Sequence, residues 1–326
     1  MAAATASRWA VERSRRPGGG TAVIDDFLAA LPRARHRLLM LDYDGTLAPF
    51  RAERDEAAPY PGAVDLLHAL TRGGTRVVLI TGRPATDMAD MLGLDPQLEI
   101  WGVHGLERLF PDGRLERPEV PPAAARGLEQ AARWAENRGF GVFVEVKPGA
   151  LALHWRGAEP AMAATLRLAA SAALPIIARE GRLELREFDG GLELRAPGPH
   201  KGDVVRRLLD EVTTAEYEPG DDPPAAPRLA AAFLGDDFTD EDAFRALKAA
   251  RGEPRFADAA LLGVLVRGED RPTDADDSLR PPQELLAFLA RWVEAVARAD
   301  GIAERSPAAG SAGAGTPAGV RRQAPR

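Results

Sequence analysis

Residues 37–45 read RLLMLDYDG, an apolar run from Leu38 to Leu41 that stops at two aspartates, Asp42 and Asp44, with Gly45 behind them. Residues 76–84, RVVLITGRP, repeat the design: an apolar run closed by a hydroxyl, Thr81, then Gly82, Arg83 and Pro84. A third run, LEIWGVHG at 98–105, and two later ones, AAFLGDD at 231–237 and GVLVRG at 263–268, follow the same plan. Runs continuous in Val, Leu and Ile are what a strand buried on both faces requires. Amphipathic helical patterns lie between them, one with Met88, Met91 and Leu92 on a single face and Gly93 as its stop. The fold class is therefore α/β, a Rossmann-like parallel sheet with helices on both sides. In such sheets the working residues lie just beyond the carboxyl ends of the strands, where these polar residues fall.

The middle of the chain has a different period. After a helical segment near 123–137 come FGVFVEVK (140–147) and ALALHWR (150–156), joined through Pro148, Gly149 and Ala150. A second helix is expected near 161–173, then LELREF (183–188) and LELRA (192–196) around Asp189, Gly190 and Gly191. Clean alternation marks two antiparallel hairpins with one buried face each. In the first, Val142, Val144, Val146, Leu151, Leu153 and Trp155 share the apolar face. Glu145, Lys147, His154 and Arg156 share the other. The segment reads as an α/β cap, an antiparallel sheet plus two helices, inserted into the main domain. The expected organisation is a flexible leader over 1–34, core over 35–115, cap over 116–196, core again over 197–296 and a disordered tail over 297–326.

Composition narrows the function. The 326 residues are 45% hydrophobic, enough for one large core or two smaller ones. A formal charge of −7 leaves no basic field for nucleic acid. Without cysteine there is no disulfide, thiolate zinc site or thiol nucleophile, which fits a reducing compartment and a cytoplasmic location. No apolar run reads as a membrane span. The Ala/Arg-rich start lacks a signal-peptide core and reads as a leader ending in Gly-Gly-Gly.

The chemistry gathers at the strand ends. A carboxylate such as Asp42 can attack phosphorus when a cation neutralises the approaching phosphate, giving an aspartyl-phosphate. Asp44, two residues on, can protonate the leaving oxygen and then activate water. Thr81 can hydrogen-bond a phosphoryl oxygen or cap the following helix. Lys201, in PHKGD, opens a helical pattern, and a cation there is unfavourable unless an anion sits nearby. GDDFTDED, 235–242, crowds five acids at a strand end. Thr239 and Asp242 have capping-box spacing, which leaves Asp236 and Asp237 to be explained by a shared cation.

This set, DxDGT, strand-end Thr, Lys and acid cluster, resembles the haloacid dehalogenase superfamily in content and order over roughly residues 36–290. Within it GVHG (102–105), VEVK (144–147), LHWR (153–156), LELRAPGPHKG (192–202) and GDDFTDEDAF (235–244) look like the trehalose-6-phosphate phosphatase family. The resemblance implies catalysis by Asp42, Asp44, Thr81 and Lys201. It implies Mg²⁺ held by Asp42, Asp44 through its carbonyl, and Asp236, with Asp240 in support. It implies sugar-phosphate contacts from Glu145 and Lys147, with His154, Arg156, Glu193, Gly82, Arg83 and His104 nearby. The expected reaction is hydrolysis of trehalose 6-phosphate by a monomer that could pair with a trehalose-6-phosphate synthase. Alternatives are a phosphatase for another sugar phosphate, a non-catalytic sugar-phosphate sensor, and a phosphomutase.

Overall fold

The computed structural model describes residues 20–51, 57–93, 98–188, 190–214, 229–269 and 271–303. The strands are β1 (His36–Leu41), β2 (Arg76–Ile80), β3 (Glu99–Gly102), β4 (Glu107–Leu109), β5 (Leu115–Glu116), β6 (Val144–Lys147), β7 (Ala150–His154), β8 (Glu184–Phe188), β9 (Gly191–Arg195), β10 (Leu229–Gly235), β11 (Ala260–Val266) and β12 (Asp277–Leu279). The helices are α1 (Gly20–Ala30), α2 (Ala63–Arg72), α3 (Ala85–Leu92), α4 (Pro122–Asn137), α5 (Pro160–Gly181), α6 (Lys201–Thr214), α7 (Glu241–Ala250) and α8 (Gln283–Ala303).

Eight strands form one sheet in the order β12-β11-β10-β1-β2-β3-β4-β5. It is parallel from β12 through β3, and the β3–β4 and β4–β5 pairings are antiparallel. The period of two in β1 sends Leu39 and Leu41 to one face and Leu38 and Met40 to the other, all fully buried. The first face packs under α1, α2, α3 and α8 through residues such as Phe27, Leu67, Met88 and Trp292. The second packs under α6 and α7 through Val205, Leu208, Phe244 and Leu247. Each such side chain contributes about 1.5–3 kcal/mol by leaving water. The chain steps from β1 outward to β2 and β3, then returns to β10 on the other side of β1. That reversal opens a crevice at the carboxyl ends of β1 and β10.

A second sheet, β6-β7-β9-β8, is antiparallel throughout. The helices α4 and α5 cover one face, with Ala131, Leu166 and Leu174 packed on Leu151, Leu153 and Leu194. Two hairpins and two helices are the cap expected from the alternation.

Several details differ from the expectations. Residues 20–34 are not a free leader: Ile24, Phe27 and Leu28 of α1 are buried in the core. Helix α8 continues through 297–303, into the stretch read as tail. Residues 1–19, 304–326 and the turn residue Asp189 lie outside the described residues. Val142 and Val146 are exposed, not core. Val142 sits in a short 3-10 turn before the strand, and β6 is the sheet edge, beyond the helices' cover. Lys147, on the polar face, is buried instead, because that face looks onto the core domain. One helix among the described residues, α5, is long and apolar enough by length and composition to cross a bilayer. Here it packs on the cap sheet through Leu166, Ala170, Leu174 and Ile177.

Candidate active site

The end of β1 delivers Asp42 into a buried position, and the chain then turns at Gly45 with φ of 85°. A Cβ at Gly45 would lie 2.3 Å from Asp236 Oδ2, so only glycine lets this turn meet the acidic loop after β10. Lys201, the first residue of α6, is equally buried and bridges two carboxylates. Its Nζ lies 2.6 Å from Asp42 Oδ1 and 2.6 Å from Asp240 Oδ1. The other oxygen of Asp240 accepts the Asp236 and Asp237 N–H groups at 2.9 Å each. The acidic loop is thus built around Asp240, and the cap residue is Asp237, paired with Asp240. This replaces the Thr239/Asp242 pairing expected from spacing, because the 3-10 turn starts two residues earlier than that pairing supposes. Outside the cluster Arg271 braces the same loop, donating to the Asp237 carbonyl at 3.0 Å and to Glu241 Oε1 at 2.5 Å.

One oxygen from each of Asp42, Asp236 and Asp240 fits within a 4.8 Å spread, and all three residues are buried. Three carboxylates against the single Lys201 ammonium leave two negative charges, the complement of a divalent cation. Burial, with Asp240 and Asp44 adding to it, pushes Asp42 up to about 7 even though Lys201 pulls the other way. Burial and the charges of Asp42 and Asp240 also push Asp236 well above the usual carboxylate range. Its Oδ1 is buried without a hydrogen-bond partner, an acceptor that suits a metal ion. Asp240 has both oxygens engaged, so it suits the supporting role better than direct ligation. Hard oxygen donors of this kind fit Mg²⁺.

Asp44 stands beside this cluster with its carboxylate held by Arg83, Nε to Oδ2 at 2.8 Å and Nη2 to Oδ1 at 2.6 Å. Arg83 is itself buried, over the Tyr43 ring. Its guanidinium therefore faces Asp44 and stands just behind the cavity lining. Thr81 is also buried, and its hydroxyl accepts the Arg83 N–H at 3.2 Å. The helix that follows, α3, is capped instead by Glu107, which accepts the Ala85 N–H at 2.9 Å.

A cavity of about 720 Å³ opens above Asp42, Asp44, Lys201 and Asp236, with the polar face of the cap as its roof. Lys147 Nζ bonds Glu193 Oε1 at 2.9 Å, and His154 Nε2 meets Glu145 Oε2 at 2.9 Å. Burial would raise Glu193, but Lys147 above all draws it down to about 2, so it is ionised. His104 comes from the core side, its Nε2 3.7 Å from Glu193 Oε2. Burial holds it down to about 3, so the ring is neutral at neutral pH. Gly82 also lines the cavity, and a Cβ there would strike His104 Nε2 at 2.7 Å.

The structure gathers eleven of the fourteen residues singled out from sequence on the lining of this cavity; Thr81, Arg83 and Asp240 stand just behind it. It adds others that sequence reading missed. Arg186 and Arg195 occupy the same alternating face as Glu193, so the period of two could have found them. Phe50, in the loop after Pro49, carries no motif or periodic signal. Arg271 lies outside every motif and joins the site only through folding.

Three comparisons bear on this arrangement. Residues 40–271 match the family model described as Trehalose-phosphatase. A trehalose-phosphate phosphatase of Mycobacterium avium (strain 104) is 30% identical over 279 residues, covering 82% of this chain and 64% of that protein. The chain thus spans a little under two thirds of the length of that relative. A solved structure of Aspergillus fumigatus trehalose-6-phosphate phosphatase superimposes with a TM-score of 0.57 at 28% identity, covering 83% of this chain and 97% of the other. A haloacid dehalogenase-like hydrolase from Bacteroides thetaiotaomicron shares the fold, with a TM-score of 0.53 at 17% identity over 78% of this chain and 99% of the other.

Proposed function

The chain belongs to the trehalose-phosphatase family, and on that premise we propose that it hydrolyses trehalose 6-phosphate to trehalose and phosphate. The observation that carries the reading is the 2.6 Å contact of Asp42 with Lys201 on the floor of a cavity roofed by Glu145, Lys147 and Glu193. A phosphate on that floor leaves its sugar against a polar roof, the arrangement a sugar monophosphate needs.

Asp42 attacks phosphorus, and the bond from phosphorus to the sugar 6-oxygen breaks as the bond to Asp42 forms. Asp44 donates a proton to the departing oxygen, so trehalose leaves neutral. Asp44 then takes a proton from water, which attacks the phosphorus of the aspartyl-phosphate and releases phosphate. To carry a proton Asp44 must leave its two-bond pair with Arg83, so Arg83 positions the acid and limits when it is free. Lys201 offsets charge on the phosphoryl oxygens, and Thr81 stands just behind the floor, where its hydroxyl accepts the Arg83 N–H. Asp42, the Asp44 carbonyl and Asp236 would hold Mg²⁺, which when bound supplies Lewis-acid neutralisation of the phosphoryl group.

The neutral His104 shapes the floor and leaves acid–base work to Asp44. The absence of cysteine fits a reducing, cytoplasmic location, and the substrate would come from a trehalose-6-phosphate synthase activity. The test is phosphate release with Mg²⁺ from trehalose 6-phosphate, glucose 6-phosphate, sucrose 6-phosphate and mannose 6-phosphate. A strong preference for the first is expected. Activity centred on another sugar overturns the substrate, and none from any of them favours a sensing module.

A further inference from the structure

Phe50 is the exposed aromatic of this cavity. It is 46% exposed, yet its ring is far from free to wander. Ring carbon Cε2 lies against the Gly45 turn, 2.5 Å from where a Cβ there would stand. That imaginary Cβ also lies 2.3 Å from Asp236 Oδ2, so the ring borders the phosphate floor directly. From the cap, the Arg156 guanidinium sits 4.8 Å from the ring centroid. Core and cap therefore meet at this ring, on the wall between the carboxylate floor and the polar roof. An exposed phenylalanine costs free energy in water, and the Tyr43 and Leu47 side chains of the same loop are fully buried. Phe50 shows no such burial.

We propose that Phe50 is a specificity-determining residue whose ring packs against the C–H face of the phosphorylated pyranose. Arg156 holds the ring from the cap side through a cation–π contact and ties its position to the cap. A pyranose offers hydroxyls around its rim and a flatter hydrocarbon face; Glu145, Lys147 and Glu193 address the former, and Phe50 the latter. Polar groups fixing orientation beside an aromatic wall are the usual composition of small-ligand sites. The inference rests on the sugar-phosphate reading above and names the part of the site that senses the ring.

The experiment compares wild type, Phe50→Ala and Phe50→Tyr on trehalose 6-phosphate and on glycerol 1-phosphate, with the sugar-phosphate panel run on wild type. Both leaving groups are primary alcohols, so demand for the general acid is matched and only the pyranose differs. The ratio of kcat/KM for trehalose 6-phosphate to that for glycerol 1-phosphate is expected to fall about tenfold in Phe50→Ala, chiefly through KM, the order expected for covering half an aromatic side chain. Phe50→Tyr, which keeps the ring, restores most of the ratio. Because Phe50 is half-exposed, thermal unfolding of both variants should match wild type. An unchanged ratio in Phe50→Ala, or equal losses on both substrates, overturns the inference while the wild-type preference for trehalose 6-phosphate still stands. A wild type without that preference overturns the proposed substrate and this role with it.

Discussion

Asp44 and Arg83 are joined by two hydrogen bonds, 2.8 and 2.6 Å long, so the residue proposed as general acid has both oxygens occupied by a buried guanidinium. Acid catalysis matters most when the leaving oxygen is a poor leaving group. Asp44→Asn should therefore lose about 10²–10⁴-fold in kcat on trehalose 6-phosphate, and far less on p-nitrophenyl phosphate in the phosphoryl-transfer step, because nitrophenolate departs without a proton. Arg83→Lys keeps the charge but not the fork, and should lose activity in the same substrate order. Pre-steady-state release of nitrophenol and of sugar separates the two; equal losses on both would remove Asp44 from the acid role.

The three buried carboxylates around Lys201 make a second expectation. Burial above all, with repulsion between the carboxylates adding to it, pushes Asp42 and Asp236 up. Asp236→Asn should leave the metal-free protein as stable as wild type or more so, by relieving that repulsion. It should also abolish the stabilisation that wild type gains from Mg²⁺, about 2.7 kcal/mol at a hundredfold excess over Kd. Thermal unfolding with EDTA and with Mg²⁺ reads both effects. Asp42→Asn should keep the fold and lose turnover; clear turnover in that variant would remove the nucleophile assignment.

The Lys147–Glu193 pair lets stability and function be separated. Lys147→Met strands an ionised, buried Glu193 and should cost about 3 kcal/mol. Replacing both, Lys147→Met with Glu193→Met, should recover most of that loss, since no buried charge is left unpaired. It should not recover turnover of the sugar phosphate, because the roof has lost its polar contacts. Urea unfolding and kcat/KM on the three variants form the cycle; a double variant as unstable as the single would mean the pair does not compensate internally.

What the sequence disclosed, and what it withheld, divides along local and non-local physics. Leu38–Leu41 and Val77–Ile80 announce buried parallel strands because every position is apolar, and the polar residues that follow are placed by the strand itself. The roof was equally legible, since a period of two puts Glu145, Lys147 and His154 on one face whatever lies beyond. The same period misjudged Val142 and Val146, because whether a face is covered depends on where the helices stop. Helix α1 was missed because its partners, such as Trp292, lie far along the chain. Arg83 on Asp44 and Arg271 on the Asp237 carbonyl are pairings between distant segments, and Phe50 folds back on Gly45 within one irregular loop; none leaves a periodic trace.

His104 carries the clearest dependence on pH. Its backbone has φ of 56°, and its ring is held neutral, with its pKa down to about 3 from an ordinary 6.5. An unfolded chain therefore binds a proton here below about 6.5 while the folded chain does not, and stability falls as pH drops from there towards 3. Glu193, depressed to about 2 from 4.5, adds loss of the same sign, but only below about 4.5. The window between about 6.5 and 4.5 thus separates the histidine from Glu193. Two pH units at about 1.4 kcal/mol each set a ceiling near 2.7 kcal/mol, and the partly exposed ring brings the expected change to about 2 kcal/mol. Asparagine tolerates the same left-handed backbone and does not titrate, so His104→Asn is the comparison. Urea unfolding of both proteins in one EDTA buffer lets titration of the carboxylate cluster cancel. Wild type should lose about 2 kcal/mol more than His104→Asn across that window; parallel curves would mean that the folded ring takes up its proton as readily as the unfolded one.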